Sequence, residues 1–241
     1  MHRAVLLLSG GLDSTVAAWL ARKDAEPVLA VTVDYGQKAA ARELAAAYRI
    51  AKDLQVPHRT VYLPFLRECA KGALVDRRTE VPRPGPADLD DTTGRARASA
   101  EAVWVPNRNG AFIAMAATYA ESLGADRVLV GFNREEGATF RDNTPEFLEA
   151  TNGALAWSTA NQVQVMSPTL RFDKVEIVRA AMRENVPIEL CWSCYLGEAE
   201  PCGTCESCRR FDRAVTSAGA REWLAKRRDG IIPGHSKGGT S

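Results

Sequence analysis

Leu8-Ser9-Gly10-Gly11-Leu12-Asp13-Ser14-Thr15-Val16-Ala17-Ala18 comes directly after an apolar run at 4–8 and directly before an alanine-rich amphipathic stretch. A strand, a glycine turn and a helix start within eleven residues predict a turn that cradles a nucleotide's phosphates. Gly10 and Gly11 can take positive φ and carry no Cβ, so an anion can come close to the peptide N–H groups. Ser9 and Ser14 add hydroxyl donors, and the helix beginning near Asp13 aims its partial positive end at the same spot.

The anion is thus held by backbone rather than by a charged side chain. No Gly-Lys-Ser/Thr follows, and the spacing is not Gly-x-Gly-x-x-Gly. Asp13 brings a negative charge close to the phosphates and reads as a carboxylate for Mg²⁺, which would offset the repulsion. The plainer reading is a strand-to-helix turn with Asp13 and Ser14 as caps.

With 241 residues, 46% hydrophobic and 25% charged, the chain is of ordinary globular composition, large enough for one sizeable core and a small appendage. A formal net charge of +1 gives no global electrostatic case for nucleic acid or a membrane surface, so a small-molecule substrate is expected. No segment reaches the length of a bilayer span, and the N-terminal apolar run leads into a polar glycine loop instead of a cleavage site. The expected location is cytoplasmic.

Short β-branched runs alternate with helical patterns over 1–190, which predicts βα units and a doubly wound, mainly parallel α/β sheet covered on both faces. Strands are expected at 4–8, 28–33, 58–63 and 127–131, and helices at 15–23, 39–54, 109–123, 145–156 and 174–184. Such a sheet binds ligands at the carboxyl ends of its strands. Between 76 and 98 the pattern gives way to prolines, glycine and mixed charge, the mark of a mobile cover or of disorder. Residues 191–228 form a cysteine-bearing and helical C-terminal segment, and 229–241 a glycine-rich tail expected to be frayed.

Further polar clusters fall at expected strand and helix ends. Asp34-Tyr35-Gly36-Gln37 follows the second strand and could meet ribose or adenine, or simply cap the next helix; Arg42 and Glu43, within the first turns of that helix, could extend the site, though their default reading is a solvated pair. Arg108 opens a nearly uncharged helix, where an arginine needs an anionic partner, and Asn109 could cap that helix. Lys174 is a second candidate phosphate ligand. After the strand at 127–131, Asn133, Glu136, Phe140 and Asp142 suit a flat heterocycle: Phe140 to stack, Asp142 or Glu136 to accept exocyclic amine and ring N–H protons. A charged loop explains the same letters without a ligand.

Five of the six cysteines lie between 191 and 208, a clustering that suggests metal. Cys194, Cys202, Cys205 and Cys208, spaced C-x₇-C-x₂-C-x₂-C, can close a tetrahedron around structural Zn²⁺, with an iron–sulfur cluster as the alternative. Cys191 is a substitute ligand or merely buried. Cys69 reads as a core residue.

Ser9-Gly10-Gly11-Leu12-Asp13-Ser14 resembles the SGGxDS pyrophosphate loop of the N-type ATP pyrophosphatases. Together with DYGQ at 34–37, VPNRN at 105–109, DKVEIVR at 173–179 and WSCY…CGTCESC at 192–208, it is similar to the QueC family, the 7-cyano-7-deazaguanine synthases. The resemblance implies a Rossmann-like fold of the adenine nucleotide α-hydrolase type with a Cys₄ zinc module. It implies ATP held by the run from Leu8 to Ala18 and by Asp34, Tyr35, Gly36 and Gln37, with Asp13, Arg108 and Lys174 catalytic. It also implies a homodimer that converts a deazaguanine carboxylate and ammonia to a nitrile through adenylated carboxylate and adenylated amide, without direct contact to nucleic acid. The loop GFNREEGATFRDN at 131–143 differs from the bacterial form GVNAVDYSGYPDC, and VPNRN-Gly110 differs from VPARN followed by a bulkier polar residue. A ligase for another acceptor, a tRNA sulfur transferase with a similar loop, and a non-catalytic nucleotide sensor are the alternatives.

Overall fold

The structure, a computed structural model, describes residues 1–91 and 94–231. In chain order the elements are β1 His2–Leu7, α1 Leu12–Ala21, β2 Ala25–Asp34, α2 Ala40–Leu54, β3 His58–Tyr62 and α3 Phe65–Cys69. Next come a 3₁₀ turn at Pro86–Asp90, α4 Arg95–Ala102, α5 Arg108–Ser122, β4 Arg127–Leu129 and α6 Arg134–Gly137. The series closes with α7 Pro145–Ser158, β5 Gln164–Met166, α8 Lys174–Arg183, α9 Glu206–Ser217 and α10 Arg221–Arg228.

All strand pairs are parallel, in the order β3-β2-β1-β4-β5. From Ala4 onward the central strand β1 is apolar, because both of its faces are covered there. Ala4, Leu6 and Leu8 point into a layer built with Val16 of α1, Ile50 of α2 and Ile177 of α8. Val5 points the other way, against Ile113 of α5 and Leu155 of α7. This is the doubly wound α/β arrangement expected. Helix α8 starts where the sequence says it should, because Asp173 and Glu176 form a reciprocal capping box.

Four expectations need correction. Among its described residues the stretch 76–98 is not structureless: Pro86 starts a 3₁₀ turn, Asp88 accepts a hydrogen bond from the Gly85 N–H (2.7 Å), Leu89 is buried, and Val81 belongs to a third apolar cluster with Val33, Leu66 and Val103. Cys69 is exposed rather than in the core, because the five-residue α3 buries only Leu66. Asn109 does not cap α5; Asn107 is the cap residue, in left-handed conformation, and the buried Asn109 donates to the Asp142 carbonyl (3.2 Å). Strand β5 and the short helices α3, α4 and α6 lie outside the expected elements. The expected tail at 229–241 falls, from 232 onward, outside the described residues.

Helix α9 packs against α8, and Ala214, Val215, Ala220 and Leu224 of the C-terminal segment close the α1/α2/α8 layer. Among the described residues no helix is long and apolar enough to cross a membrane.

Candidate active site

Strand order reverses between β1 and β4, and the crevice beyond such a reversal is where an open α/β sheet takes its ligand. The turn from Ser9 to Ser14 leaves β1 there, beside the chain leaving β4. Gly10 has φ +80°, and a Cβ on it would lie 2.6 Å from the Glu43 carbonyl oxygen. On the other side a Cβ on Gly131 would lie 2.4 Å from the Ser14 nitrogen. Both positions therefore require glycine for close approach, and Gly10 for its positive φ as well.

Ser14 Oγ accepts from the Ser9 N–H (3.2 Å) and meets Ser9 Oγ at 2.9 Å, which closes the turn. Gly11 is the N-cap of α1 and makes no side-chain capping bond, so the turn is not a capped helix start built on Asp13 and Ser14. The first-turn N–H groups of α1, which have no intrahelical acceptor, face the crevice. Leu8, Ser9, Gly11, Leu12, Asp13 and Ser14 line the cavity there. Thr15, Val16, Ala17 and Ala18 do not; they are fully buried in the body of α1, and Thr15 Oγ1 donates to the Gly11 carbonyl (2.7 Å).

Lys174, at the first position of α8, is buried, and its Nζ lies 2.5 Å from Asp13 Oδ2 and 2.5 Å from Glu136 Oε1. Burial works against its charge, but the two carboxylates outweigh it and raise its proton affinity above that of an ordinary lysine. Burial also pushes Asp13 up to about 6, against the pull of Lys174. Asp13 Oδ1 is buried with no hydrogen-bond partner. Glu136, half-buried, is held below the usual carboxylate range by Lys174, against the effect of desolvation. The Lys174 N–H is itself bonded to Glu135 Oε2 (3.2 Å), and Glu135 Oε1 takes Arg210 (2.5 Å) and Arg213 (2.6 Å) of α9.

Arg108 also lines the cavity, with no carboxylate oxygen at ion-pair distance among the described residues; its hydrogen-bond partner is Tyr35 Oη at 3.4 Å. Tyr35 and Gln37 line the cavity, whereas Asp34 folds back to accept from the Gly36 N–H (2.9 Å), and Gly36, at φ +86°, makes the sharp turn. Arg42 and Glu43 are not a solvated pair. Glu43 lines the cavity and accepts from Gln37 Nε2 (2.8 Å), while Arg42 stacks over Trp192 and donates to the Glu198 carbonyl.

Of the four residues expected to read a heterocycle, Glu136 and Phe140 line the cavity and Asn133 and Asp142 do not. Asn133 Oδ1 accepts from the Glu136 N–H and caps α6, and Asp142 is turned into the protein beside Asn143, which does reach the cavity. Sequence reading missed Trp192, Ser193 and Tyr195, which form the cavity's C-terminal wall. The Trp192 N–H donates to the Gly10 carbonyl (2.9 Å) and ties that wall to the phosphate turn.

The Sγ atoms of Cys194, Cys202, Cys205 and Cys208 all lie within 4.8 Å of one another. A tetrahedral Zn²⁺ with Zn–S near 2.3 Å separates its sulfurs by about 3.8 Å, so the four thiols fit one metal ion. Cys191 is not among them; its thiol meets Thr15 Oγ1 at 3.4 Å.

Residues 3–219 match the protein family described as "Queuosine biosynthesis protein QueC". The chain is 50% identical over 216 residues to the 7-cyano-7-deazaguanine synthase of Desulforamulus reducens, covering 90% of this chain and 94% of that one. It is 48% identical over 217 residues to the synthase of Pelotomaculum thermopropionicum (90% and 98%) and 41% identical over 233 residues to that of Methanosarcina barkeri (93% and 98%).

Proposed function

Because the chain belongs to the QueC family, we propose that it is a 7-cyano-7-deazaguanine synthase, an ATP-dependent ligase that converts 7-carboxy-7-deazaguanine and ammonia to the nitrile. The observation that carries the reading is the convergence of the Ser9–Ser14 turn, Lys174 and Arg108 on one cavity. A carboxylate is a poor electrophile until its oxygen becomes a leaving group. Transfer of AMP to that oxygen does this once for the acid and again for the amide. No protein nucleophile is needed, so the protein contributes position and charge.

The turn's peptide donors hold the phosphates, and Lys174 and Arg108 supply positive charge to the same cavity. Asp13, with its orphaned Oδ1, would hold Mg²⁺, which supplies neutralisation of phosphate charge when bound. Phe140, stacked on Trp104 with a 10° interplanar angle, is the aromatic surface we assign to the deazaguanine. Asn133 and Asp142 would support that loop from behind. Asp34 and Gly36 would shape the turn that presents Tyr35 and Gln37 to the nucleotide, and the helix body from Thr15 to Ala18 would hold the phosphate turn rigid.

Cys194, Cys202, Cys205 and Cys208 would hold structural Zn²⁺, dividing the chain into an ATP-binding unit at 1–190 and a metal-bearing helical unit at 191–228. A cytoplasmic homodimer acting on free deazaguanine rather than on nucleic acid accords with the net charge of +1. The test is purified protein with ATP, Mg²⁺, 7-carboxy-7-deazaguanine and ammonium, read by mass spectrometry and pyrophosphate release. Nitrile formation that needs all of them is expected. No turnover with that set rejects the reading.

A further inference from the structure

We propose that the Glu43 carboxylate is the ammonium site of the enzyme and takes the proton that converts ammonium to the attacking amine. The inference rests on the reaction proposed above and gives its second substrate a place. Near neutral pH ammonia is almost entirely ammonium, which has no lone pair to attack with. A site for it has to attract a small cation and then accept a proton from it. A carboxylate that faces the cavity and is not already committed to a cation can do both.

Three carboxylates line the cavity, Asp13, Glu43 and Glu136. Asp13 and Glu136 are both committed to Lys174 Nζ, at 2.5 Å each. Glu43 has no lysine or arginine nitrogen at ion-pair distance among the described residues; its hydrogen-bond partner is the neutral amide of Gln37, at 2.8 Å. That amide is fixed, because Gln37 Nε2 also donates to the Val33 carbonyl (3.2 Å) and Oε1 accepts from the Tyr35 N–H (3.0 Å). Gln37 therefore positions Glu43 while leaving the second carboxylate oxygen free for a ligand. Burial raises the proton affinity of Glu43, a direction that Asp34 reinforces and that Gln37 and the Arg108 charge across the cavity partly oppose. The Glu43 backbone abuts Gly10, so this turn of α2 stands directly beside the phosphate turn.

In the step itself a proton passes from ammonium to the Glu43 carboxylate, and the freed nitrogen lone pair attacks the acyl carbon of the adenylate. The C–N bond forms, the bond from acyl carbon to phosphate oxygen breaks, and AMP leaves with that electron pair. The second surplus proton on nitrogen leaves with the AMP phosphate.

The experiment compares wild type, Glu43→Gln and Glu43→Asp in two assays. Acid-dependent ATP–pyrophosphate exchange without ammonium reads the first adenylation. Product formation is then measured with ammonium and, separately, with hydroxylamine, an amine largely neutral at pH 7. Glu43→Gln is expected to keep the exchange, lose about 100-fold or more of the ammonium-dependent rate, and recover to within about tenfold of wild type with hydroxylamine. Glu43→Asp, which keeps a carboxylate, is expected to regain part of the ammonium-dependent rate. Exchange falling in parallel with product formation would overturn the assignment, since Glu43 would then serve the nucleotide or the fold. An equal deficit with both amines would overturn it as well. Wild type that shows no acid-dependent exchange would instead reject the proposed reaction, and the ammonium site with it.

Discussion

Lys174 Nζ sits 2.5 Å from Asp13 Oδ2 and joins the first turn of α8 to the first turn of α1. The contact crosses the mouth of the phosphate turn, and it leaves Asp13 Oδ1 buried without a partner. In the absence of nucleotide the fold therefore holds a carboxylate that is only half compensated.

The stability of the nucleotide-free protein should register that carboxylate. Asp13 rises from 3.8 to about 6 on folding, so the folded chain binds this proton more tightly than the unfolded chain. Its contribution to stability is present below pH 3.8 and is lost as the pH rises through about 6. Asp13→Asn removes the dependence. Relative to wild type the variant should gain stability between pH 4 and pH 7.5, by at most about 3 kcal/mol, while pyrophosphate release disappears. Thermal melts of both proteins across that range are the measurement. A difference in melting temperature that does not change with pH would mean that Asp13 carries no folding penalty.

A buried network fixes α9, and with it the cysteine segment, against the rest of the site. Arg210 donates to Glu206 (2.9 Å), Glu135 (2.5 Å) and the Leu89 carbonyl (2.8 Å), and Glu206 also accepts from Ser99 (2.5 Å). Arg210→Leu leaves the buried Glu206 without its cation, while Glu135 keeps Arg213; stranding a buried charge in this way typically costs about 3–5 kcal/mol. Denaturant melts of the variant beside wild type at pH 8 would measure the deficit, and a loss under about 1 kcal/mol would show that the network contributes little.

Cys205→Ser should lower metal content and melting temperature together, because the thiol is buried and lies in the four-sulfur cluster. Metal binding supplies folding free energy at such sites. A loss of about 3 kcal/mol would lower the melting temperature of a chain this size by roughly 6–12 °C. Cys69→Ser, at an exposed position, should change neither. Metal analysis beside the melts checks both, and a metal-free Cys205→Ser protein that melts like wild type would remove the structural role.

What the sequence made legible follows from where its patterns are periodic or chemically narrow. The β1 turn and α8 could be read because glycine pairs, apolar runs and an Asp173/Glu176 capping box each have few structural meanings. Strand β5 could not, since Val165 is the only buried residue among its three and sets no period. The letters alone leave Glu43 open between a site residue and a helix-surface acid, and the packing of Gly10 against α2 is what brings it to the cavity. Trp192 and Tyr195 were absorbed into a metal motif because they flank Cys194, whereas the fold uses the same stretch twice, as metal loop and as cavity wall. Cys69 was assigned by residue type alone, and a five-residue helix had no room to bury it.

Alanine at Gly131 and alanine at Gly153 should have opposite effects. At Gly131 a Cβ would meet the Ser14 nitrogen at 2.4 Å and the Ser14 Cα at 2.6 Å. These are backbone atoms of the phosphate turn, and they cannot swing aside as a side chain would. Gly131→Ala must push the first turn of α1 away from β4, misaligning the peptide donors, so acid-dependent pyrophosphate exchange should fall by about tenfold or more, in line with the cost of small misplacements in positioned sites. At Gly153, within α7, a Cβ would meet nothing within 4 Å. There alanine removes only the entropic cost of a helical glycine, so Gly153→Ala should stabilise the protein by up to about 1 kcal/mol and leave exchange intact. Exchange rates and melts of the two variants side by side are the check, and a Gly131→Ala enzyme with wild-type exchange would mean that the chain leaving β4 does not hold the phosphate turn in place.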